Sequence, residues 1–429
     1  MLNDRKKKRV GDWQTISGSF TKVFPALENE NFRYYFFGQL ISQIGTWLQM
    51  VAEGWLVFQI THSAFLVGFI AALAAVPTLL FTLFGGVVVD RFPKKKILFV
   101  TQSTAMILAV ILGVLTILHI ITVWQIGILA FCLGIVRAID SPARQSFISE
   151  MVTREQLSSA IALNSAVVNT ARVIGPCIAG FLIACIGAGG AFIINGLSYW
   201  VVLAALFAMK AVPYSVGVRI NAFRAIKEGV SYTINHPLIL SLLLFTGLSS
   251  IFARPYTTIM PVIAQNIFHL GAVGLGYLYA ASGLGSLLAT FFIGAFAKRF
   301  SPIYFIIGGN TLFALSLFCF SFTANLYMGL FLLFFVGFGL LSQAAMMNTV
   351  IQQTVKSELR GRVMSIYILM FLGFSPLGSL QIGFASEKFG SAIAFRIGAV
   401  MAFIGGIILF MLRNKIRIAY LEYKSGHQS

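Results

Sequence analysis

About twelve long apolar runs repeat along this chain, and nearly all Lys and Arg fall in alternate gaps between them. The 31 basic residues concentrate in Arg5–Arg33 and in the gaps at Arg91–Lys96, Arg144–Arg154, Lys210–Lys227, Lys298–Arg299 and Lys356–Arg362, with more from Arg413 to Lys424. The intervening gaps near His62, His119, Gly187, His269 and Ala324 carry none, and the last of that set, around Glu387–Lys388, carries one. This is the positive-inside pattern of a polytopic helical membrane protein, and it predicts both termini in the cytoplasm.

Hydrophobic residues make up 58% of the chain and charged residues 10%, a balance foreign to soluble domains. Runs such as Ala64–Val89, Ile97–Ile120 and Ile303–Phe322 reach or approach the ~20 residues that cross ~30 Å of hydrocarbon. Every backbone amide there needs an internal partner, so the runs are predicted as helices; continuous rather than alternating apolarity excludes a barrel. The net charge of +18 belongs to topology and to anionic lipid headgroups, not to nucleic acid. Cys132, Cys177, Cys185 and Cys319 lie inside apolar runs without metal or redox spacing, and are expected as small buried hydrophobes. No apolar core follows the basic start, so the first helix is expected to direct insertion.

Helices are predicted at 33–59, 65–89, 97–120, 123–146, 158–186, 190–210, 238–266, 273–297, 302–323, 325–353, 362–386 and 392–412. The expected organisation is a basic cytoplasmic segment (1–30), a six-helix bundle (31–210), a cytoplasmic linker (211–236), a second six-helix bundle (237–412) and a cytoplasmic tail (413–429). In the linker, Phe223, Ile226, Val230 and Ile234 share one helical face, as in a helix lying on the membrane surface. The halves repeat each other. Gly86-Val-Val-Val-Asp90-Arg91 answers to Gly294-Ala-Phe-Ala-Lys298-Arg299, Glu155-Gln-Leu157 to Glu358-Leu359-Arg360, and Gly175-Pro176 to Ser375-Pro376, all in one order. Parallel duplication is one of the transporter architectures.

With these elements the chain resembles the major facilitator superfamily over about residues 30–412. Gly86–Lys95 is similar to that superfamily's loop 2–3 signature, with Pro93 in place of its second Gly, and Gly175-Pro176-Cys-Ile-Ala-Gly180 to its fifth-helix element of antiporters. Asp140-Ser-Pro-Ala-Arg144-Gln and Glu358-Leu-Arg360-Gly-Arg362-Val-Met-Ser resemble the branch of enterobactin-type siderophore exporters and secretion effectors. The resemblance implies an all-α membrane protein of twelve transmembrane helices in two pseudo-symmetric bundles. It also implies residence in a bacterial inner membrane as a monomer, and a pathway lined by helices 1, 4, 7 and 10.

Asp90 ends the second helix, where the dipole already places negative partial charge, so it is expected to have a partner. The resemblance implies the start of helix 11 near Gly361, with Arg91 or Arg144 close by, as a latch that breaks when the halves rock. Gly86 belongs to the same signature. Gly175, Pro176 and Gly180 would bend and tightly pack the fifth helix, either as a seal or as a simple packing kink. On helix 1, Ser42, Thr46, Gln49 and Glu53 form one face, and with Gln39 and Gln43 they are expected to line a cavity. Arg137 and Asp140 are spaced to pair along helix 4. Arg137, Arg254 and Gln343 are assigned to the pathway, and Arg172 either to it or to internal fastening. Arginine keeps its charge, so an anionic or polyhydroxylated small molecule fits. Glu53 and Asp140 are the intramembrane acids available to carry a coupling proton, Glu53 first.

No paired-His motif, nucleophile–base set or phosphate-binding Gly-rich loop is visible, so neither metal, cofactor nor enzymatic chemistry is expected. The predicted function is proton-coupled export of a small anionic or amphiphilic molecule such as a siderophore. Multidrug efflux is the alternative, and a transporter-like sensor or lipid-handling protein without coupling is the alternative of another class.

Overall fold

The computed structural model describes residues 24–210, 222–297, 299–416 and 418. Most of the basic N-terminal segment, Lys298 and the last eleven residues of the tail lie outside them. Among the described residues the chain is helical and connecting, without strands. The first bundle holds α1 (Glu30–Thr61), α2 (Ala64–Arg91), α3 (Lys94–Ile117), α4 (Val123–Met151) and the 55-residue stretch Arg154–Ala208. That stretch breaks only at Gly187, whose φ of 71° ends α5 (154–186) and begins α6 (188–208). The second bundle holds α7 (Pro237–Asn266), α8 (Ala272–Phe296), α9 (Pro302–Phe320), α10 (Leu326–Thr354), α11 (Glu358–Phe389) and α12 (Ser391–Met411). Among the described residues ten stretches are long and apolar enough to span a membrane. One of them is the double length holding α5 and α6, and α1 stands outside the ten because of its polar stripe. The architecture accommodates the twelve expected spans.

The turns on the side nearly free of Lys and Arg are tight. His62, His119 and His269 take left-handed conformations there, as do Gly187 and Gly390; histidine is among the few side chains that enter that region readily. We call this side the turn face and the other the basic face.

Small residues set the helix packing, because apolar side chains gain nothing over lipid from meeting one another. Within the bundles, Gly45 of α1 lies against Asn195 and Ser198 of α6, Gly134 of α4 against Ala74 and Pro77 of α2, and Gly309 of α9 against Gly339 of α10. Between the bundles two seams form, α2 on α11 and α5 on α8. At the first, Gly68 meets Ser379 and Gly383; at the second, Gly180 meets Gly276 and Ala272, backbone to backbone. Toward the basic face the seams part. A Cβ on Gly86, Gly294 or Gly361 would meet nothing within 4 Å among the described residues.

Three expectations need correction. Helix 7 is not continuous: it runs Pro237–Phe252, tightens to a 3-10 turn at Arg254–Thr257 and resumes at Met260–Asn266, because Pro255 and Pro261 withhold N–H groups. Helix 11 starts earlier than predicted, at Glu358, and passes through a π-turn at Leu369–Gly373 before Ser375–Phe389. The cysteines are not buried; Cys185 and Cys319 are exposed and Cys132 and Cys177 half-buried. The linker does contain a helix, Ala222–Ile234. Its Gly229 packs on Arg362, its Glu228 pairs with Arg362, and Val230 and Ile234 are exposed. The side chains of Phe223 and Ile226 lie outside the described residues.

Candidate functional site

Where the seams part, a cavity of about 1520 Å³ separates the bundles. Its lining reaches Glu358, Gly361 and Arg362 at the basic face, and includes none of the turn-face residues His62, His119, Gly187, His269 or Gly390. The structure is therefore open on the basic side and closed on the other. Arg137 of α4, Arg172 of α5, Arg254 of α7 and Glu53 of α1 are the charged residues lining its interior, and Glu358 and Arg362 stand at the mouth. Arg172 lies 5.7 Å from the ring centre of Trp47, a cation–π distance.

The break in α7 positions Arg254. Its Nη1 donates to the Phe371 carbonyl at 3.1 Å, and its guanidinium carbon lies 3.5 Å from the Phe371 ring centre. Ser250 Oγ donates to the same carbonyl at 2.8 Å. In a π-turn a carbonyl looks five residues ahead for its donor. For Phe371 that residue is Pro376, which has no N–H to give, and side chains from α7 donate to this carbonyl. Tyr256 and Ser282 share a hydrogen bond of 2.6 Å, and Tyr279 donates to the Thr257 carbonyl at 2.8 Å, fixing the broken helix against α8. Gln343 of α10 also lines the cavity; its Nε2 donates to Ser249 at 3.1 Å, while its buried Oε1 has no hydrogen-bond partner among the described residues.

The polar stripe of α1 goes elsewhere. Gln39, Ser42 and Gln49 are buried inside the first bundle. Asn195 Nδ2 donates to Gln49 Oε1 at 2.5 Å, Thr46 Oγ1 donates to the Ser42 carbonyl and lies 3.3 Å from Tyr199 Oη, and Arg144 Nη1 donates to Gln39 Oε1 at 3.2 Å. Gln43 is half-buried and does not line the cavity. Of that face only Glu53 reaches the cavity, alongside Trp47, Met50 and Gly54 from the adjoining face. The stripe finds α6 before it finds water, because Asn195, Ser198 and Tyr199 supply complementary groups. That spacing on helix 6 was a signal the sequence offered.

Asp140 is paired differently from expectation. Its carboxylate takes Arg144 Nε at 2.9 Å, Thr101 Oγ1 at 2.8 Å and Gln102 Nε2 at 2.8 Å. It does not line the cavity, and Arg137 is left to face the pathway. The i,i+4 spacing to Arg144 prevails over i−3 because Thr101 and Gln102 of α3 complete the carboxylate's shell. Asp90 and Arg91 are exposed at the end of α2, and Arg144 is committed to Asp140 and Gln39. Gly175 packs on Trp47 and the Ile44 carbonyl of α1, Pro176 lines the cavity, and Gly180 sits in the α5–α8 seam.

On the turn face, Glu387 near the end of α11 reaches the first turn of α2. It accepts from Ala64 N at 2.7 Å, Ser63 Oγ at 3.2 Å and Phe65 N at 3.3 Å. The sequence showed Glu387 only as a charge in a turn.

Known proteins agree with this architecture. The bacterial homolog of the human lysosomal transporter Spinster, crystallised inward-facing and unoccupied, superposes with a TM-score of 0.73 at 15% identity, over 92% of this chain and 98% of that one. The D-xylose–proton symporter gives 0.69 at 14% identity, over 89% and 96%. The staphyloferrin A transporter of Staphylococcus aureus is 26% identical over 407 residues, 92% of this chain and 99% of that protein. The enterobactin exporter EntS of Citrobacter koseri is 23% identical over 399 residues, 93% and 94%. The transmembrane secretion effector family matches residues 21–422. With that match spanning nearly the whole chain and a fold shared with solved transporters, the protein is a transporter and not an enzyme, and it belongs to the transmembrane secretion effector family of the major facilitator superfamily.

Proposed function

We propose that this protein exports a small anionic, siderophore-like molecule across the bacterial cytoplasmic membrane by alternating access, exchanging it for protons. The observation that carries the reading is the charge of the cavity: Arg137, Arg172 and Arg254 face its interior with Glu53 alone against them. Such a field in a low-dielectric surround favours an anion. Polar groups at Ser141, Gln145, Asn169, Thr246, Ser249 and Gln343 offer hydrogen bonds to a hydroxylated ligand, between apolar walls such as Leu79 and Tyr256. The names of the staphyloferrin A transporter and the enterobactin exporter support the substrate class. The positive-inside pattern supports a basic face in the cytoplasm, which makes this conformer the one that loads substrate for export.

Glu53 is the proton carrier in this scheme, because it is the interior acid exposed to the cavity, whereas Asp140 is held by Arg144 and α3. The bundles (31–210 and 237–412) move as units about the seams, the linker helix follows the second bundle through Arg362, and Asp90 closes on the start of α11 near Gly361 when the basic side shuts. The protein works as a monomer, with its basic loops against anionic headgroups. The apolar walls favour one second reading, efflux of amphiphilic drugs. Proteoliposomes with an imposed pH gradient test both: uptake of staphyloferrin A or enterobactin, and not of a cationic dye, is the expected result. Dye transport alone would establish the second reading, and no gradient-driven flux of either would leave a sensor or lipid-handling role.

A further inference from the structure

The contact between α7 and α11 is unusual in what it joins. On one side is Arg254, at the break in α7, facing the cavity. On the other is the π-turn Leu369–Gly373, the point where α11 changes register between its seam-bound and its free portions. The portion of α11 after the turn is fixed to α2 through Ser379, Gly383 and Glu387. The portion before it stands away from α2, with open space around Gly361 among the described residues. Arg254 and Ser250 both donate to the Phe371 carbonyl, whose fifth residue onward is Pro376 without an N–H, and the Phe371 ring covers the guanidinium, stacked on Tyr367 at 5.7 Å.

From this geometry we propose that Phe371 positions Arg254 and makes it a switch: in the conformer open on the basic side Arg254 clasps the π-turn and holds α11 away from α2, and an anionic group on the substrate draws Arg254 off. A carboxylate accepts from guanidinium more strongly than a neutral carbonyl does, through bidentate geometry that one carbonyl cannot match. Once Arg254 turns to the ligand, the Phe371 carbonyl loses one of its two side-chain donors and the turn loses its cation–π contact. The free portion of α11 then swings toward α2 and closes the basic side. Occupancy is thereby read at one bond and reported along one helix, which gives a bistable element biased by the ligand as alternating access requires. This rests on the anionic-substrate reading, but the clasp itself is made by this chain's own residues and is testable without any substrate.

The test uses the full chain in lipid nanodiscs, with Cys132, Cys177, Cys185 and Cys319 replaced by Ser and spin labels on cysteines at the exposed positions Lys96 and Lys356, one on each bundle. Double electron–electron resonance then reports the open and closed populations of the basic side. Without ligand, Phe371→Leu is expected to raise the closed-to-open ratio by about threefold or more, the loss of a partly desolvated cation–π contact, while Phe371→Tyr restores the wild-type distribution. Phe371→Met, which keeps volume without a ring, serves if the Leu variant does not fold, and is expected to act as Leu does. Citrate, a tricarboxylate, is the anionic probe and is expected to shift wild type toward closed and Arg254→Gln much less. An unchanged resting distribution in both ringless variants overturns the clasp, whatever citrate does. A resting shift with no response of wild type to citrate upholds the clasp and removes citrate-like anions as its trigger.

Discussion

The Glu387 carboxylate accepts the backbone N–H of Ala64 at 2.7 Å across the α2–α11 seam, on the face opposite the cavity mouth. A carboxylate on a helix N-terminus meets unpaired N–H groups and a favourable dipole, here from the other bundle. Because the bond joins bundles rather than turns of one helix, it favours the conformer closed on the turn face. Glu387→Ala is expected to shift the population away from that conformer by about fivefold, for a contact of roughly 1 kcal/mol. Alkylation of a cysteine at Thr82, in the cavity wall, by a membrane-impermeant maleimide added from the basic side should slow accordingly. An unchanged rate would make the bond incidental to gating.

The two intramembrane acids are expected to fail in different ways. Asp140→Asn leaves Arg144 half-buried without its carboxylate, and breaking such a pair costs about 3–5 kcal/mol. Its signature is a lower melting temperature and reduced yield of monodisperse protein. A stable Asp140→Asn that has lost only coupling would transfer the proton role to Asp140.

Glu53→Gln preserves size and hydrogen-bonding capacity. The protein should fold, bind and perform substrate counterflow at near wild-type level, while uphill transport driven by a pH gradient falls at least tenfold. Retained concentrative transport driven by protons alone would exclude Glu53 as the carrier.

Arg137 and Arg172 should discriminate by charge. Replacing either with Gln is expected to weaken an anionic substrate by about tenfold, the effect of one lost charge-assisted hydrogen bond, and a neutral analogue by much less. Equal losses for both, measured as KM in proteoliposomes, would place these arginines among the structural fasteners.

Gly180 tests the second seam. A methyl there would run into the backbone of Gly276 and Ala272, neither of which can retreat as a side chain would. Gly180→Ala is expected to cost roughly 1–3 kcal/mol by overpacking and Gly86→Ala little, since Gly86 has open space around it. Thermal stability in detergent compares the two, and equal stabilities would mean that the seam is not tight.

Helix positions and the duplicated organisation were legible because membrane crossing forces long apolar runs and sorted charge, both one-dimensional signals. The single-residue break at Gly187 emerged from the same pattern. The destination of the α1 stripe did not, because periodicity fixes which residues share a face and not which neighbour that face meets. Gln39 and Gln49 look identical to cavity residues until Arg144 and Asn195 are placed beside them. The α7 break was half-legible in Pro255 and Pro261. The acceptor for Arg254 was not, since it is a main-chain carbonyl of an apolar residue, in a turn type that leaves no mark on side-chain pattern beyond Pro376. Asp140's pairing depended on α3, a long-range contact that spacing along α4 does not contain.

The glycine seams also set a mechanical ratio. From Gly68 to Arg91, α2 extends roughly 35 Å beyond its tight contact at 1.5 Å per residue, so the contact is a fulcrum placed near one end of a long arm. A tilt of about 10° there displaces the far end by about 6 Å, roughly twice the diameter of a water molecule, while the facing backbones slide by less than a bond length. Transport in this geometry asks almost nothing of the seam's packing. A small molecule wedged between Gly68 and Gly383, no larger than a few methyl groups, would be working against the short arm of that lever, and could arrest a cycle whose cargo it does not resemble.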